Sequence, residues 1–293
     1  MKNEKILIQV PQHFSYSEAL QTIQRSDKDS MNIIRNGRLS RILLINEIPT
    51  LLEIEKDGHF IKAAVLNRNF TQEERHIVFS LISELFGLDD PLLTAHFRET
   101  HLNYYIGVHG YFSLFEAVVQ TIIGQLISTK VADTIRERFI QNFGESIIYN
   151  NNTYFLFPQP SVVSKINLKE MQKIGLSKIK SQLIVGLAEE FSLNKLEKIL
   201  RSLSNSQDIQ KFLTKYRGIG RWTSDWISLR ALRKFDVIPS GDLLVRKAFT
   251  WYLNSPSIVS CDKIDAFCKK WENYSGSFAY RVMFSYMKAL NKK

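Results

Sequence analysis

The chain has 293 residues, 44% of them hydrophobic, and its 39 lysines and arginines outnumber 29 aspartates and glutamates to give a net charge of +10. This length supports two or three small domains or one large one with real cores, and the basic excess favours a polyanion, nucleic acid ahead of an anionic membrane surface. Cys261 and Cys268 are too few for a disulfide scaffold and point to reduced, cytoplasmic thiols; no apolar run reaches the roughly 18 residues of a membrane span, and residues 1–5 do not read as a signal peptide.

The N-terminal third alternates short patterns. Residues 6–10 read as a strand and 16–23 as a helix. Residues 31–45 hold two extended runs broken near Asn36-Gly37, and strands at 51–55 and 60–66 join across Asp57-Gly58. Thr71 and Glu74 form a capping box for a helix that carries Ile77, Val78, Leu81, Ile82 and Leu85. The expectation is an antiparallel sheet with helices on one face, structural in role, with His13 and His59 at the surface. Asp89-Asp90-Pro91 marks a turn and places a domain boundary within residues 88–105.

Residues 112–127 follow one helical pattern, with Phe115, Val118, Val119, Ile122 and Ile123 on the buried side. Ser128 caps the next helix, which carries Val131, Ile135 and Phe139 and ends at Gly144. Gln125 and Leu126 fall at the joint, and on residue type alone Leu126 packs into the core. Residues 150–153 read as a loop, and Pro158 and Pro160 keep the following segment irregular. Helices at 168–174 and 177–191 break at Gly175, with Lys178 and Lys180 facing solvent or, as the alternative, contacting phosphate. Residues 195–200 continue the bundle and 204–207 form a polar connection.

The stretch 208–253 organises the rest. Two helical patterns flank Arg217-Gly218-Ile219-Gly220-Arg221. Two glycines around one apolar residue make a tight turn and allow close backbone approach. Free N–H groups at the start of the following helix make a seat for phosphate, with Arg217 and Arg221 beside it. Asp242 ends the turn Pro239-Ser240-Gly241 and precedes an apolar helix at 243–253. It is a favoured N-cap residue and also a candidate for a fixed catalytic carboxylate, and the two roles can coexist. Trp222 and Trp226, four apart, share a helix face that suits either core packing or the stacking of an extruded base. Cys261 and Cys268 share one helix face, as core residues do. The acids near Asp242 are single, unlike the clustered carboxylates of a metal-dependent nuclease.

Gly218-Ile219-Gly220-Arg221-Trp222-Thr223, Arg230-Ala231-Leu232 and Pro239-Ser240-Gly241-Asp242, with Asp242 twenty residues past Trp222, resemble the helix-hairpin-helix base-excision glycosylase superfamily. Within it they are similar to the 3-methyladenine DNA glycosylase II family; Ile123-Gly124-Gln125-Leu126-Ile127-Ser128 matches more weakly. The resemblance implies a mostly α fold, with a small α+β antiparallel-sheet domain at 1–100 ahead of a helical catalytic region at 101–293 and the hairpin at 208–232. It implies a monofunctional hydrolase that flips alkylated purines (3-methyladenine, 7-methylguanine) out of duplex DNA and releases them, the first step of base excision repair.

Site roles come from the same resemblance. Asp242 is the catalytic carboxylate. Trp222, Trp226 and Phe284 form the base pocket, with Leu243 standing where the family has an aromatic. Gln125 and Leu126 form the wedge that fills the vacated stack. Arg217, Gly218, Ile219, Gly220, Arg221 and Thr223 hold DNA. Trp222 stands where bifunctional relatives carry a lysine, so no lyase activity is expected, and Lys247 has the wrong spacing to replace it. A monovalent cation, Na+ or K+, is expected on the backbone carbonyls of Thr214, Tyr216 and Ile219. No cofactor is required and no iron–sulfur cluster is expected. The partner is double-stranded DNA containing damaged bases, met by a monomer. Residues 271–276 depart from the family pattern, which leaves the register at Phe284 open. The alternatives are a glycosylase for another lesion and a hairpin protein that only binds DNA.

Overall fold

A computed structural model of the protein describes residues 5–24, 26, 29–93 and 106–291. The expected boundary between 100 and 101 lies outside the described residues.

Five strands, β1 (Lys5–Gln9), β2 (Ile33–Arg35), β3 (Arg38–Ile45), β4 (Ile48–Asp57) and β5 (Phe60–Val65), form an antiparallel sheet in the order β1-β5-β4-β3-β2. The β2–β3 turn is Asn36-Gly37 and the β3–β4 turn Asn46-Glu47, with positive φ at both residues of each. This geometry matches the right-handed twist of the flanking strands. Helix α1 (Tyr16–Ile23) lies between β1 and β2, and α2 (Gln72–Phe86) follows β5. The Thr71–Glu74 capping box opens α2, and Gly87 closes it in the left-handed conformation.

The sheet buries both faces. Ile42 and Leu51 pack against Tyr154 and Leu156 in a small separate core. These partners come from and just after a hairpin, β6 (Ser146–Tyr149) and β7 (Asn152–Phe155), whose second strand begins inside the 150–153 segment read as a loop. The signal was present: Asn150-Asn151 takes φ +46° and +60° between two β-prone runs.

The helices continue as α3 (Leu114–Gly124), α4 (Thr129–Phe143), α5 (Pro160–Val163), α6 (Leu168–Lys173), α7 (Lys178–Ser192), α8 (Lys195–Ser202), α9 (Ser206–Leu213), α10 (Arg221–Arg230), α11 (Leu243–Tyr252), α12 (Cys261–Cys268) and α13 (Ser275–Leu290). Pro160 starts α5 rather than preventing a helix, because its fixed φ suits the first helical position.

Two large cores organise them. One joins the sheet and α2 to residues of the C-terminal helices such as Phe249, Phe278 and Val282. The other is built from the middle helices, with Val119, Phe139, Ile184 and Leu213. Helix α10 belongs to both, giving Leu229 to the first and Ile227 to the second. A buried ion pair, Arg41 to Glu116 at 2.6 Å, ties β3 to α3. The site therefore sits where two cores meet.

Candidate active site and nucleic-acid interface

A cavity of about 500 Å³ opens along that seam. Residues of α3, α4, α10 and α13 line it, together with Asp242 and Leu244. Trp222, Trp226 and Phe284 are all in its wall. The register left open at Phe284 is set by the segment before it. Trp271 stacks on Phe278 with ring centroids 3.5 Å apart, and Glu272 turns the chain at φ +42°. Gly276 then brings α13 against the strand-like segment before Asp242: a Cβ there would lie 2.1 Å from the Val237 carbonyl oxygen. Phe284, two turns on, faces the cavity and is almost fully buried.

Asp242 is both a cap and a cavity residue. Its Oδ1 accepts the Leu244 N–H at 2.7 Å and the Val245 N–H at 3.4 Å, closing the start of α11. Its Oδ2 accepts the indole N–H of Trp222 at 2.7 Å and of Trp226 at 3.1 Å. A carboxylate can satisfy all these donors because both its oxygens accept. The cap thus fixes the charge, and the charge fixes the two indoles one turn apart. The arrangement offers a held negative charge beside flat aromatic surface.

Other wall residues were given no site role by the sequence reading. His109 is hydrogen-bonded through its ring to Arg230 and to the Tyr280 hydroxyl, and Arg230 lies over the Tyr111 ring at 4.4 Å. All four line the cavity. Gln21, Thr22 and Gln24 at the end of α1 also line it. The N-terminal third, read as purely structural, therefore supplies part of the site. Only topology brings these residues together; no local pattern marks them. Lys288 lines the cavity too, paired with Glu18 and Gln21. Leu243 is 54% exposed and absent from the wall, where Leu244 stands instead. Lys247 lines a separate surface depression with Trp251 and Tyr286.

The hairpin follows its sequence. Gly218 takes φ +103°, which a side chain would resist, and its neighbours Leu183 and Ile179 leave little room. Ile219 is buried and its N–H bonds the Tyr216 carbonyl at 3.0 Å. Gly220 is different: its φ is −99° and a Cβ would meet nothing within 4 Å. The fold around Gly220 would therefore accept a side chain. Gly220 caps α10 without a side-chain hydrogen bond, which leaves the first N–H groups of the helix for an anion. Arg217 is exposed, and Arg221 extends toward Asp225 and Asp265 at 3.5 and 3.8 Å. Thr223 is buried, with its hydroxyl accepting from Gln125, so only its backbone is available to a ligand.

The α3–α4 joint departs most from the reading by residue type. Leu126 does not pack into the core: it is fully exposed, at φ +55°. Lys180 does not face solvent. Its ammonium donates to the Ile123 and Gln125 carbonyls at 2.9 and 2.7 Å, and burial, with Arg136 nearby, holds its pKa below the usual lysine value.

The Thr214, Tyr216 and Ile219 carbonyls lie at the C-terminal end of α9 and in the turn. Neutral oxygens at the negative end of a helix suit a monovalent cation. Among the described residues no group of three or more His, Cys, Asp or Glu could hold a metal ion. No helix of the described residues is long and apolar enough to cross a membrane.

A family profile described as HhH-GPD superfamily base excision DNA repair protein matches residues 119–273. The DNA-3-methyladenine glycosylase of Bacillus subtilis (strain 168) is 26% identical over 300 residues, covering 96% of this chain and 98% of that protein. The solved structure of a 3-methyladenine DNA-glycosylase from Archaeoglobus fulgidus matches with a TM-score of 0.81 at 21% identity, over 96% of this chain and 98% of that one. The 8-oxoguanine glycosylase/lyase of Clostridium acetobutylicum, in complex with double-stranded DNA, matches with a TM-score of 0.72 at 20% identity, over 99% and 97%. The structural likenesses speak for the fold. The profile covers more than half the chain, including the α3–α4 joint, the hairpin and Asp242, and the chain belongs to the HhH-GPD superfamily of base excision DNA repair proteins.

Proposed function

We propose that the protein is a monofunctional DNA glycosylase that releases alkylated purines, 3-methyladenine and 7-methylguanine, from duplex DNA. The observation that carries this reading is the Asp242 carboxylate, held by two backbone and two indole N–H groups in the wall of an aromatic cavity. The hairpin N–H groups, with Arg217 and Arg221, hold the phosphate backbone. Leu126 enters the stack as the damaged nucleotide leaves it, and Gln125 stands beside it. The everted base enters between Trp222, Trp226 and Phe284. Aromatic faces favour a base made cationic by alkylation. As the glycosidic bond breaks, positive charge grows on the deoxyribose, and Asp242 stabilises it and orients the attacking water.

Strand cleavage does not accompany release, because position 222 is a tryptophan and Lys247 lies on another face. Lys288, the lysine of the wall, is committed to Glu18 and Gln21. The Thr214, Tyr216 and Ile219 carbonyls would hold a Na+ or K+ ion, which would supply positive charge at the hairpin for a DNA phosphate. The enzyme works as a cytoplasmic monomer. The full-length similarity to a protein named DNA-3-methyladenine glycosylase favours alkylated purines over other lesions. The test is incubation with methylated duplex DNA and chromatographic identification of the freed bases. Release of 3-methyladenine and 7-methylguanine without strand nicking is expected; release of neither from DNA that the protein binds would refute this reading and leave a glycosylase for another lesion or a protein that only binds DNA.

A further inference from the structure

The exposed Leu126 has no packing of its own, yet it is held in a conformation that side chains disfavour. Something else must fix it. Helix α3 ends at Gly124: the Gln125 N–H closes on the Ile122 carbonyl at 3.2 Å, and the Ile123 carbonyl lies past that last backbone bond. Arg136 Nη2 donates to the Gln120 carbonyl at 3.0 Å. Lys180 reaches from the first turn of α7 to the Ile123 and Gln125 carbonyls, on either side of the helix end. A cation in the first turn of its own helix is badly placed against the macrodipole; at the C-terminal end of α3 it is well placed. The Gln125 side chain ties the other side, donating to the Gly218 carbonyl at 2.9 Å and to Thr223 Oγ1 at 2.7 Å. Helix α7 itself leans on the hairpin through Ile179 and Leu183, the side chains nearest Gly218.

The geometry points to a clamp in which Lys180 and Gln125 lock the Leu126 turn to α7 and to the hairpin, so that Lys180 is a positioning residue for base extrusion. The inference rests on the glycosylase reading and adds a role to a residue that touches neither base nor sugar. Phosphate seat and wedge then keep a fixed separation: when the hairpin grips the backbone, Leu126 is already at the height of the stack. Without Lys180 the α3 carbonyls lose their partner and the turn relaxes, while Asp242 and its two indole partners, on other elements, stay as they are.

The experiment compares single-turnover excision of one lesion in two settings, paired in a duplex and unpaired in a single strand, where extrusion needs no wedge. Lys180→Met keeps the aliphatic stem and removes the donor. Excision from the duplex should fall about 10–100-fold, the scale of a misplacement near one ångström. Excision from the single strand should stay near wild type, and Lys180→Arg should recover most of the duplex rate. If Lys180→Met does not fold, Lys180→Gln carries the same comparison. An equal fall on both substrates, or no fall on either, overturns the clamp. The two readings fail separately. A wild type that releases no base from either substrate defeats the glycosylase reading; an active wild type with a duplex-specific defect in Leu126→Ala but none in Lys180→Met defeats only the clamp.

Discussion

Leu126 gives the cleanest separation of folding from function. A buried leucine truncated to alanine costs about 2–5 kcal/mol, from lost burial and the cavity left behind. Leu126 is 103% exposed, so neither term applies, and Leu126→Ala should change stability by no more than about 0.5 kcal/mol. Leu126→Gly is more telling. At φ +55° a non-glycine residue is disfavoured by about 1–2 kcal/mol. Glycine removes that strain but adds roughly 0.4–1 kcal/mol of unfolded-state freedom. The net is a protein as stable as wild type or more stable by up to about 1.6 kcal/mol. Both variants should lose excision from duplex DNA while keeping it on a single strand. The assay pairs denaturant melts with single-turnover base release. A stability loss of about 2 kcal/mol or more in either variant would return Leu126 to a packing role, and normal melts with unchanged duplex excision would end the wedge assignment.

Asp225 predicts a pH signature. Burial pushes its carboxyl up to about 6, with Arg221 opposing the shift. The proton is held more tightly in the folded state, so this stability is present below pH ~4 and lost as pH rises through about 6; Asp225→Asn should gain up to about 3 kcal/mol over wild type across that window, read from melts at pH 4 and pH 7. Identical pH profiles for the two proteins would refute it. Borohydride should trap no protein–DNA adduct; an adduct that survives Lys247→Ala and is lost in Lys288→Ala would mean that Lys288 leaves Glu18 to act as a nucleophile. DNA affinity should fall with salt regardless of sequence, and Arg217→Ala should lower the slope of log K against log salt by about 1; an affinity blind to salt contradicts the hairpin's role.

Local signals carried much of the fold and half of the site. Capping at Thr71 and Ser128, the turn at Asn36-Gly37 and the double-glycine hairpin are short-range chemistry and appear where the sequence puts them. Asp242 was legible because a cap and a carboxylate coincide at one residue. The fourth-neighbour spacing of Trp222 and Trp226 gave their common face but not their shared bond to Asp242. Tertiary placement was not legible. His109, Tyr280 and the end of α1 meet only after the sheet has docked on the C-terminal helices. Leu126 and Lys180 were misread by type: a leucine was assigned to the core and a lysine to water. The end of α3 reverses both, because its orphan carbonyls need a cation and the turn it creates projects outward.

The most direct test of the account is Asp242→Asn. Capping alone would make the change harmless, since asparagine caps nearly as well as aspartate. The structure adds two indole N–H donors on Oδ2, and an asparagine that keeps its oxygen toward the cap turns its NH2 toward them. A stability loss of about 1–3 kcal/mol is therefore expected alongside the chemical defect. The measurement is single-turnover release of 3-methyladenine and of 7-methylguanine by wild type and variant, at a temperature where melts show both fully folded. The account predicts excision of both bases slowed by about 10²–10³-fold, the scale for loss of one preorganised electrostatic partner. A folded Asp242→Asn protein that releases both bases at the wild-type rate would contradict it and leave Asp242 as a helix cap.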